Sequence, residues 1–318
     1  MPQPRILILS GGLSHERDVS LRSGRRVAEA LRETGCEVQI ADLDTGLIPL
    51  LSGSPGHPAP DIVWPLLHGA SGEDGSVRDV LELLGLPYLG SDPRASRAAW
   101  NKTVAKTVAS RAGIATPRYV TFPQTLFQEL GANFLLDVIV ERFEMPAVVK
   151  PVHGGSALGV NLVEQPDHLG RALMECYSYG DVALVERAVR GTELAISVVD
   201  LGQGPIALPA VEIATDGPYN YDARYNPGRA QFFAPARLSE ADAARAAEMA
   251  VAAHEALGLV RVSRTDAMLD AQGTLWFLEA NVAPGMQETS LLPQAALAAG
   301  HHLPQLYRDL VEASLANG

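Results

Sequence analysis

The stretch SRTDAMLDAQGTLWFLEAN, residues 263–281, decides how the chain is read. Val260–Leu269 and Leu275–Glu279 have the apolar, β-branched and aromatic content of strands, and Asp270-Ala-Gln-Gly273 supplies a turn between them. The spacing therefore predicts an antiparallel hairpin. Side chains alternate along a strand, which puts Arg264 and Asp266 on one face, and Glu279 and Asn281 on one face. Pairing the strands brings two carboxylates and an amide oxygen together beside a guanidinium. Such hard oxygen donors suit Mg²⁺, with a cation left over for phosphate. The plain alternative is a cross-strand salt bridge on a solvated face. Phe277-Leu-Glu-Ala-Asn281 reads as a buried strand end, which favours the metal. Because Mg²⁺ shares its coordination with nucleotide oxygens, a phosphate ligand is implied.

Upstream, a second segment points to the same ligand. Ala147-Val-Val-Lys-Pro151 reads as a strand, His153-Gly-Gly-Ser-Ala-Leu-Gly159 as a turn and Val160–Val163 as a returning strand. Glycines in such a turn let backbone N–H groups approach phosphate, and Lys150 supplies charge. Glycine hairpins are common, so this signal is weak by itself. Neither GxxxxGK[ST] nor a strand-borne GxGxxG is present, which removes the usual support for a P-loop or Rossmann site. Helices are expected over Lys102–Ala112 and from Pro166 to Tyr177, and a strand over Val182–Glu186.

The first ninety residues alternate strand and helix, the pattern of a small open α/β domain. Arg5–Ser10, Cys36–Ala41 and Asp61–Leu67 read as strands, and Val19–Leu31 and Val77–Leu84 as helices. Two loops at strand C-termini carry the polar residues. Glu16, in Gly11–Ser20, is a carboxylate able to hold a substrate ammonium, whereas Asp18 suits the first turn of a helix. His68, Glu73 and Asp74 lie in the glycine loop 68–76, without the spacing of a zinc site. Beyond residue 189, further strands are expected at Glu193–Val199 and Ala207–Ile213. Ser239 and Asp242 cap an alanine-rich packing helix that ends near Gly258. Thr215–Arg229 lacks periodicity, as a lid does. Pro284–Leu291 is a turn in which a glycine N–H could face an oxyanion.

Composition limits the classes. The chain has 318 residues, 47% apolar and 19% charged, enough to bury two or three cores and too apolar for disorder. A net charge of −12 argues against a non-specific nucleic-acid binder. The two cysteines, Cys36 and Cys176, suit a reducing compartment. No apolar run is long enough to cross a membrane, and MPQPR leads directly into ILILS without a basic-then-apolar leader, so a cytoplasmic protein is expected. Only Lys102, Lys106 and Lys150 among the 25 basic residues are lysine. The plain reading of that bias is the codon usage of a GC-rich genome; the alternative is that a lysine retained among so many arginines sits where a compact, flexible ammonium is needed.

Taken in order, GGLSHERDVSLRSG (11–24), LLHGASGEDGSVRDVLELLGLPYLGS (66–91), VVKPVHGGSALGV (148–160), YNYDARY (219–225), SRTDAMLD (263–270) and LEANVAPGMQETSLLP (278–293) resemble the D-alanine–D-alanine ligases of the ATP-grasp superfamily. The likeness covers nearly the whole chain. It implies an α/β protein, α+β in its ATP-binding part, with the ATP-grasp fold in three domains: residues 1–92, 93–188 and 189–318, with a lid at 215–229. It implies ATP as substrate, two Mg²⁺ ions (Mn²⁺ as the alternative), D-alanine as the other substrate, and a homodimer. No nucleic acid, membrane or protein partner is implied.

The same likeness assigns residues. Lys102 and Lys150 match phosphate-contacting lysines. Glu186 and Val189 match the adenine stretch, Glu193 the ribose acid, and Arg224 an ATP-binding cation of the lid. Asp266, Glu279 and Asn281 match the metal ligands. Glu16 matches the holder of the first D-alanine's ammonium, linked through Ser156 to Tyr225. His68 belongs to the same subsite, and Ser290 and Leu291 to that of the second D-alanine. Arg264 and the Gly285 N–H would stabilise the tetrahedral oxyanion. The chain departs from the family pattern at Gly154 and Ala157, where an acid and a hydroxyl are usual, and at Arg187 and Arg224, where lysine is common. Val282, Ala283, Glu288 and Thr289 depart as well. Two rivals follow: an ATP-grasp ligase joining other amino acids, and a nucleotide-binding sensor on the same scaffold.

Overall fold

The computed structural model describes residues 3–53, 58–215 and 230–316. The segment beyond Thr215 expected to form a lid, with Arg224 and Tyr225, lies outside them. The N-terminal strands are β1 (Arg5–Leu9), β2 (Glu37–Ala41) and β3 (Ile62–Pro65), parallel in the order β2-β1-β3. Ile6 to Leu9 are all buried, as expected when helices cover both faces of a parallel sheet. Helix α1 (Arg17–Glu33) joins β1 to β2, and α2 (Leu47–Ser52) follows β2. The glycine loop after β3 is not wholly irregular: Ala70–Glu73 forms a short helix, α3, before α4 (Ser76–Leu83).

The expected linker at 90–94 ends inside a helix. Asp92 accepts a hydrogen bond from Ala95 N (2.8 Å) and Pro93 occupies the first turn of α5 (Pro93–Trp100), a favourable helix start. Asn101 caps α6 (Lys102–Arg111), its Oδ1 accepting from Thr103 N and Val104 N. Strand β4 (Tyr119–Pro123) and helices α7 (Gln124–Leu130) and α8 (Ala132–Arg142) come next. The hairpin expected around the glycine turn is present as β5 (Ala147–Pro151) and β6 (Asn161–Val163). Helix α9 (Leu169–Tyr177) leads to β7 (Val182–Arg187), giving an antiparallel sheet in the order β4-β7-β5-β6.

The last sheet is also antiparallel. Its members are β8 (Gly191–Asp200), β9 (Pro205–Ala207), β10 (Val211–Thr215), β11 (Ala230–Phe233), β12 (Val262–Asp270) and β13 (Leu275–Asn281). The strand expected over 207–213 is broken. Ala207 pairs with Val198 and Val211 with Ala195, so one extra residue bulges between them. Pro209, which has no N–H to give to the ladder, sits in that bulge. Helix α10 (Glu240–Ala256) starts at Ser239, whose Oγ accepts from Asp242 N (3.1 Å), as the sequence predicts.

Two C-terminal helices, α11 (Leu291–Ala298) and α12 (Leu303–Ala316), return to the N-terminal sheet. Trp64 of β3 meets Tyr307 of α12 edge-on at 5.7 Å, a geometry that adds about 1 kcal/mol beyond area burial. Leu292, Leu306 and Leu310 share one core with Ile6, Ile8 and Val262, so the ends of the chain are locked together. No helix among the described residues is long and apolar enough to cross a membrane.

Candidate active site

The β12–β13 register is the one alternation predicts. Asp266 stands opposite Glu279, and Arg264 opposite Asn281. A bulge follows directly between Asp266 and Ala267. The guanidinium makes a bidentate pair within its own strand, Nε to Asp266 Oδ1 (2.6 Å) and Nη2 to Oδ2 (2.8 Å), with both residues buried. The ion pair is thus neither cross-strand nor solvated. Among the described residues no cluster of three or more His, Cys, Asp and Glu side chains could hold a metal unaided. The donors available are two carboxylates and the Asn281 amide oxygen, which also accepts from Ala283 N (2.8 Å). Hard oxygens in that number fit Mg²⁺ that completes its shell with water and phosphate.

Between this hairpin and the β4-β7-β5-β6 sheet lies a cavity of about 240 Å³. Lys102, Lys150, Glu186, Val189, Glu193, Asp266 and Glu279 all line it, although they come from six different elements and one loop. Lys102, at the start of α6, donates to Gly154 O (2.6 Å) and stands 3.3 Å from Glu279 Oε2, bridging the glycine turn and the hairpin. Lys150 pairs with Glu186 Oε1. Both are buried. Burial alone would push the Glu186 carboxyl up, but Lys150 and Lys106 outweigh it and hold the pKa below the ordinary value. Burial likewise works against the Lys150 ammonium, and Glu186 and Glu279 raise it regardless.

A smaller chamber adjoins this cavity, lined by Glu73, Lys102, Ser156, Arg264, Glu279 and Asn281. Ser156 Oγ donates to Glu16 Oε1, tying the N-terminal loop to the glycine turn. The turn is tightly constrained: Ser156 and Ala157 have φ of 51° and 57°, a region non-glycine residues seldom adopt. At Gly155 a Cβ would come 3.0 Å from Glu16 Oε2, so the missing side chain makes room for that carboxylate. His68 is buried on the same side, its pKa lowered chiefly by burial, with Glu16 opposing.

Glu73 was not singled out as a site residue, yet it is buried within the chamber wall and accepts from Gly69 N (2.9 Å). Burial, reinforced by the charge of Glu16, pushes its carboxyl up to about 8. Its position between Gly72 and Asp74 in a glycine loop beside His68 was the available signal. Gly285 and Ser290 come together in the loop before the next helix, and neither belongs to the chamber lining. A Cβ on Gly285 would lie 2.7 Å from Ser290 Oγ, and Ser290 Oγ accepts from Gln287 N (3.0 Å). Their loop is anchored to α1, where Ser23 Oγ accepts from Met286 N (3.2 Å). Leu291 is buried in the core at the start of α11.

With this geometry in place, comparison with known proteins is informative. The family model described as "D-ala D-ala ligase C-terminus" matches residues 108–312. A D-alanine–D-alanine ligase of Anaeromyxobacter sp. (strain K) is 38% identical over 309 residues, covering 97% of this chain and 96% of the relative. Among solved structures, the VanG D-Ala:D-Ser ligase from Enterococcus faecalis superposes with a TM-score of 0.83 at 25% identity, covering 98% of this chain and 99% of that one. The D-alanine–D-alanine ligase from Bacillus anthracis gives 0.80 at 28% identity, covering 99% and 98%. The fold is ATP-grasp, with the 240 Å³ cavity held between two antiparallel sheets. The chain belongs to the D-alanine–D-alanine ligase family.

Proposed function

We propose that the chain joins two molecules of D-alanine at the expense of ATP, making D-alanyl-D-alanine for peptidoglycan precursors. The observation that carries this reading is the convergence of Lys102, Lys150, Glu186, Glu193, Asp266 and Glu279 on one cavity, with Arg264 and Ser156 in the chamber beside it. The polyphosphate binds at Lys102 and Lys150, and the adenosine at Glu186, Val189 and Glu193. Asp266, Glu279 and Asn281 would hold the divalent cations. Bound there, Mg²⁺ supplies charge neutralisation of the phosphate oxygens.

The chemistry then proceeds in two displacements. Glu16, held by Ser156, takes the ammonium of the first D-alanine and so orients its carboxylate. A carboxylate oxygen attacks the γ-phosphorus and ADP leaves, giving an acyl phosphate. The deprotonated amine of the second D-alanine attacks the acyl carbon, and inorganic phosphate departs as the amide forms. Arg264 and the Gly285 N–H stabilise the oxyanion of that second step. His68 completes the first subsite, Ser290 and Leu291 the second, and Arg224 and Tyr225 act from the lid. On this proposal the three domains 1–92, 93–188 and 189–318 close on the substrates. The enzyme is cytoplasmic and a homodimer, which light scattering would register as twice the chain mass.

A screen of single D- and L-amino acids, with ATP and Mg²⁺ and phosphate release as the signal, tests the proposal. Turnover with D-alanine alone is expected. Silence with D-alanine but turnover with another amino acid would move the function to a different ligase. Tight nucleotide binding without any turnover would favour the sensor.

A further inference from the structure

All three lysines of the chain meet at one place, and the reaction outlined above uses only two. Lys106 lies one turn beyond Lys102 on α6, at the i+4 position, with its side chain wholly inaccessible to solvent. Its Nζ stands 2.7 Å from Glu186 Oε2, an ion contact set off the hydrogen-bonding direction, and donates to Phe277 O at 3.3 Å. The other Glu186 oxygen, Oε1, is held by Lys150. One buried carboxylate therefore sits between two ammonium groups. Lys150 and Glu186 line the cavity, whereas Lys106 lies behind them in the α6 packing layer.

An ammonium so placed is costly, because burial removes its hydration. That burial pushes Lys106 down to about 8 against the pull of Glu186, with Lys150 adding to the fall. A long apolar side chain would fill the same space without the penalty, so the charge needs a reason. The reason lies in what Lys150 must do. To meet phosphate, its Nζ has to leave Glu186. Were Lys150 the sole partner of Glu186, that departure would strand a buried carboxylate. With Lys106 in place the carboxylate keeps a counter-cation, and Lys150 can turn to the nucleotide.

We propose that Lys106 is a positioning residue for nucleotide binding: the resident counter-cation of Glu186, which holds that carboxylate toward the nucleotide pocket while releasing Lys150 to phosphate. This rests on reading the cavity as the ATP site.

The test is ADP affinity by calorimetry and ATP kinetics for wild type, K106M, K106R, E186Q and the K106M/E186Q pair. Losing the charged partner of Glu186 is expected to weaken ADP binding about 10- to 100-fold in K106M and to raise the ATP KM equally. kcat at saturating ATP, and the KM for D-alanine, are expected to stay within about threefold of wild type. With Glu186 neutral, K106M should add less than about a threefold further loss. K106R, which keeps a cation, should bind ADP within about fivefold of wild type, and it carries the test if K106M does not fold. A K106M protein that melts earlier yet binds ADP like wild type would overturn the proposal and leave Lys106 a staple between α6 and Phe277. So would an undiminished loss in the E186Q background, or failure of K106R to hold affinity. A wild-type protein that binds no ADP would instead overturn the ATP reading itself.

Discussion

Two buried charge clusters border the same cavity, each with a member in its wall, and they are balanced differently. On the hairpin, Arg264 and Asp266 pair through two parallel hydrogen bonds within a single strand. Across the cavity, one carboxylate, Glu186, is shared by two lysines from two elements, α6 and β5. A bidentate pair has fixed geometry, which suits a guanidinium that must wait in place for a developing oxyanion. A two-to-one cluster has a surplus cation on a flexible stem, which suits a phosphate that arrives and leaves. The clusters differ as their tasks differ: one keeps its geometry, and the other exchanges partners.

That contrast can be broken most directly at Arg264. R264A is expected to lower kcat about 10²- to 10³-fold, as loss of an oxyanion donor does, while ADP affinity changes less than about threefold. Steady-state kinetics and calorimetry on the same preparation decide it. Equal losses of turnover and ADP binding would erase the difference between the clusters. K106M, with its loss confined to nucleotide affinity, is the mirror image.

Glu73 is the contrasting case, a buried acid that accepts from Gly69 N, with no basic side chain among the described residues hydrogen-bonded to it. Its pKa rises to about 8 in the folded protein from an ordinary 4.5. The folded state therefore holds a proton that the unfolded state releases, and stability falls as pH climbs through that window. E73Q removes the titration. Its melting temperature is expected to exceed that of wild type by a margin that grows from pH 5 to pH 8, read by calorimetric scans.

The smallest expected effect lies outside the cavity, where His254 is buried against Ser263 (Nδ1 to Oγ 2.7 Å) with its pKa lowered by burial to about 4. Here the unfolded state binds the extra proton, so the contribution is complete above pH 6.5 and is lost as pH falls toward 4. H254Q should flatten the acid limb of the stability profile in urea titrations between pH 7 and pH 4.

The hairpin cluster was legible in the sequence because everything that makes it is local. A period of two, a turn and two polar pairs sit within nineteen residues. The Ser239 cap and the β5–β6 turn were legible for the same reason. The Glu186 cluster was not: its members lie at 106, 150 and 186 and meet only because α6 packs beneath the sheets. Lysine scarcity was the trace it left. The Glu16–Ser156 bond spans 140 residues and was anticipated only through family likeness. Helix α8 escaped notice because Phe134 and Val138 face solvent, which blurs its apolar stripe. Helix α11 escaped for the opposite reason, being apolar nearly all round, with Leu291, Leu292, Pro293, Ala295 and Ala296 all buried.

Ligation through an acyl phosphate leaves an isotopic trace, because one carboxylate oxygen of the first D-alanine departs with the phosphate. D-alanine labelled with ¹⁸O in its carboxylate would be incubated with ATP, Mg²⁺ and the enzyme, and the products read by mass spectrometry. The account predicts D-alanyl-D-alanine together with inorganic phosphate carrying one labelled oxygen for each dipeptide formed. Dipeptide accompanied by unlabelled phosphate would contradict the acyl phosphate, and phosphate released without dipeptide would contradict the ligase.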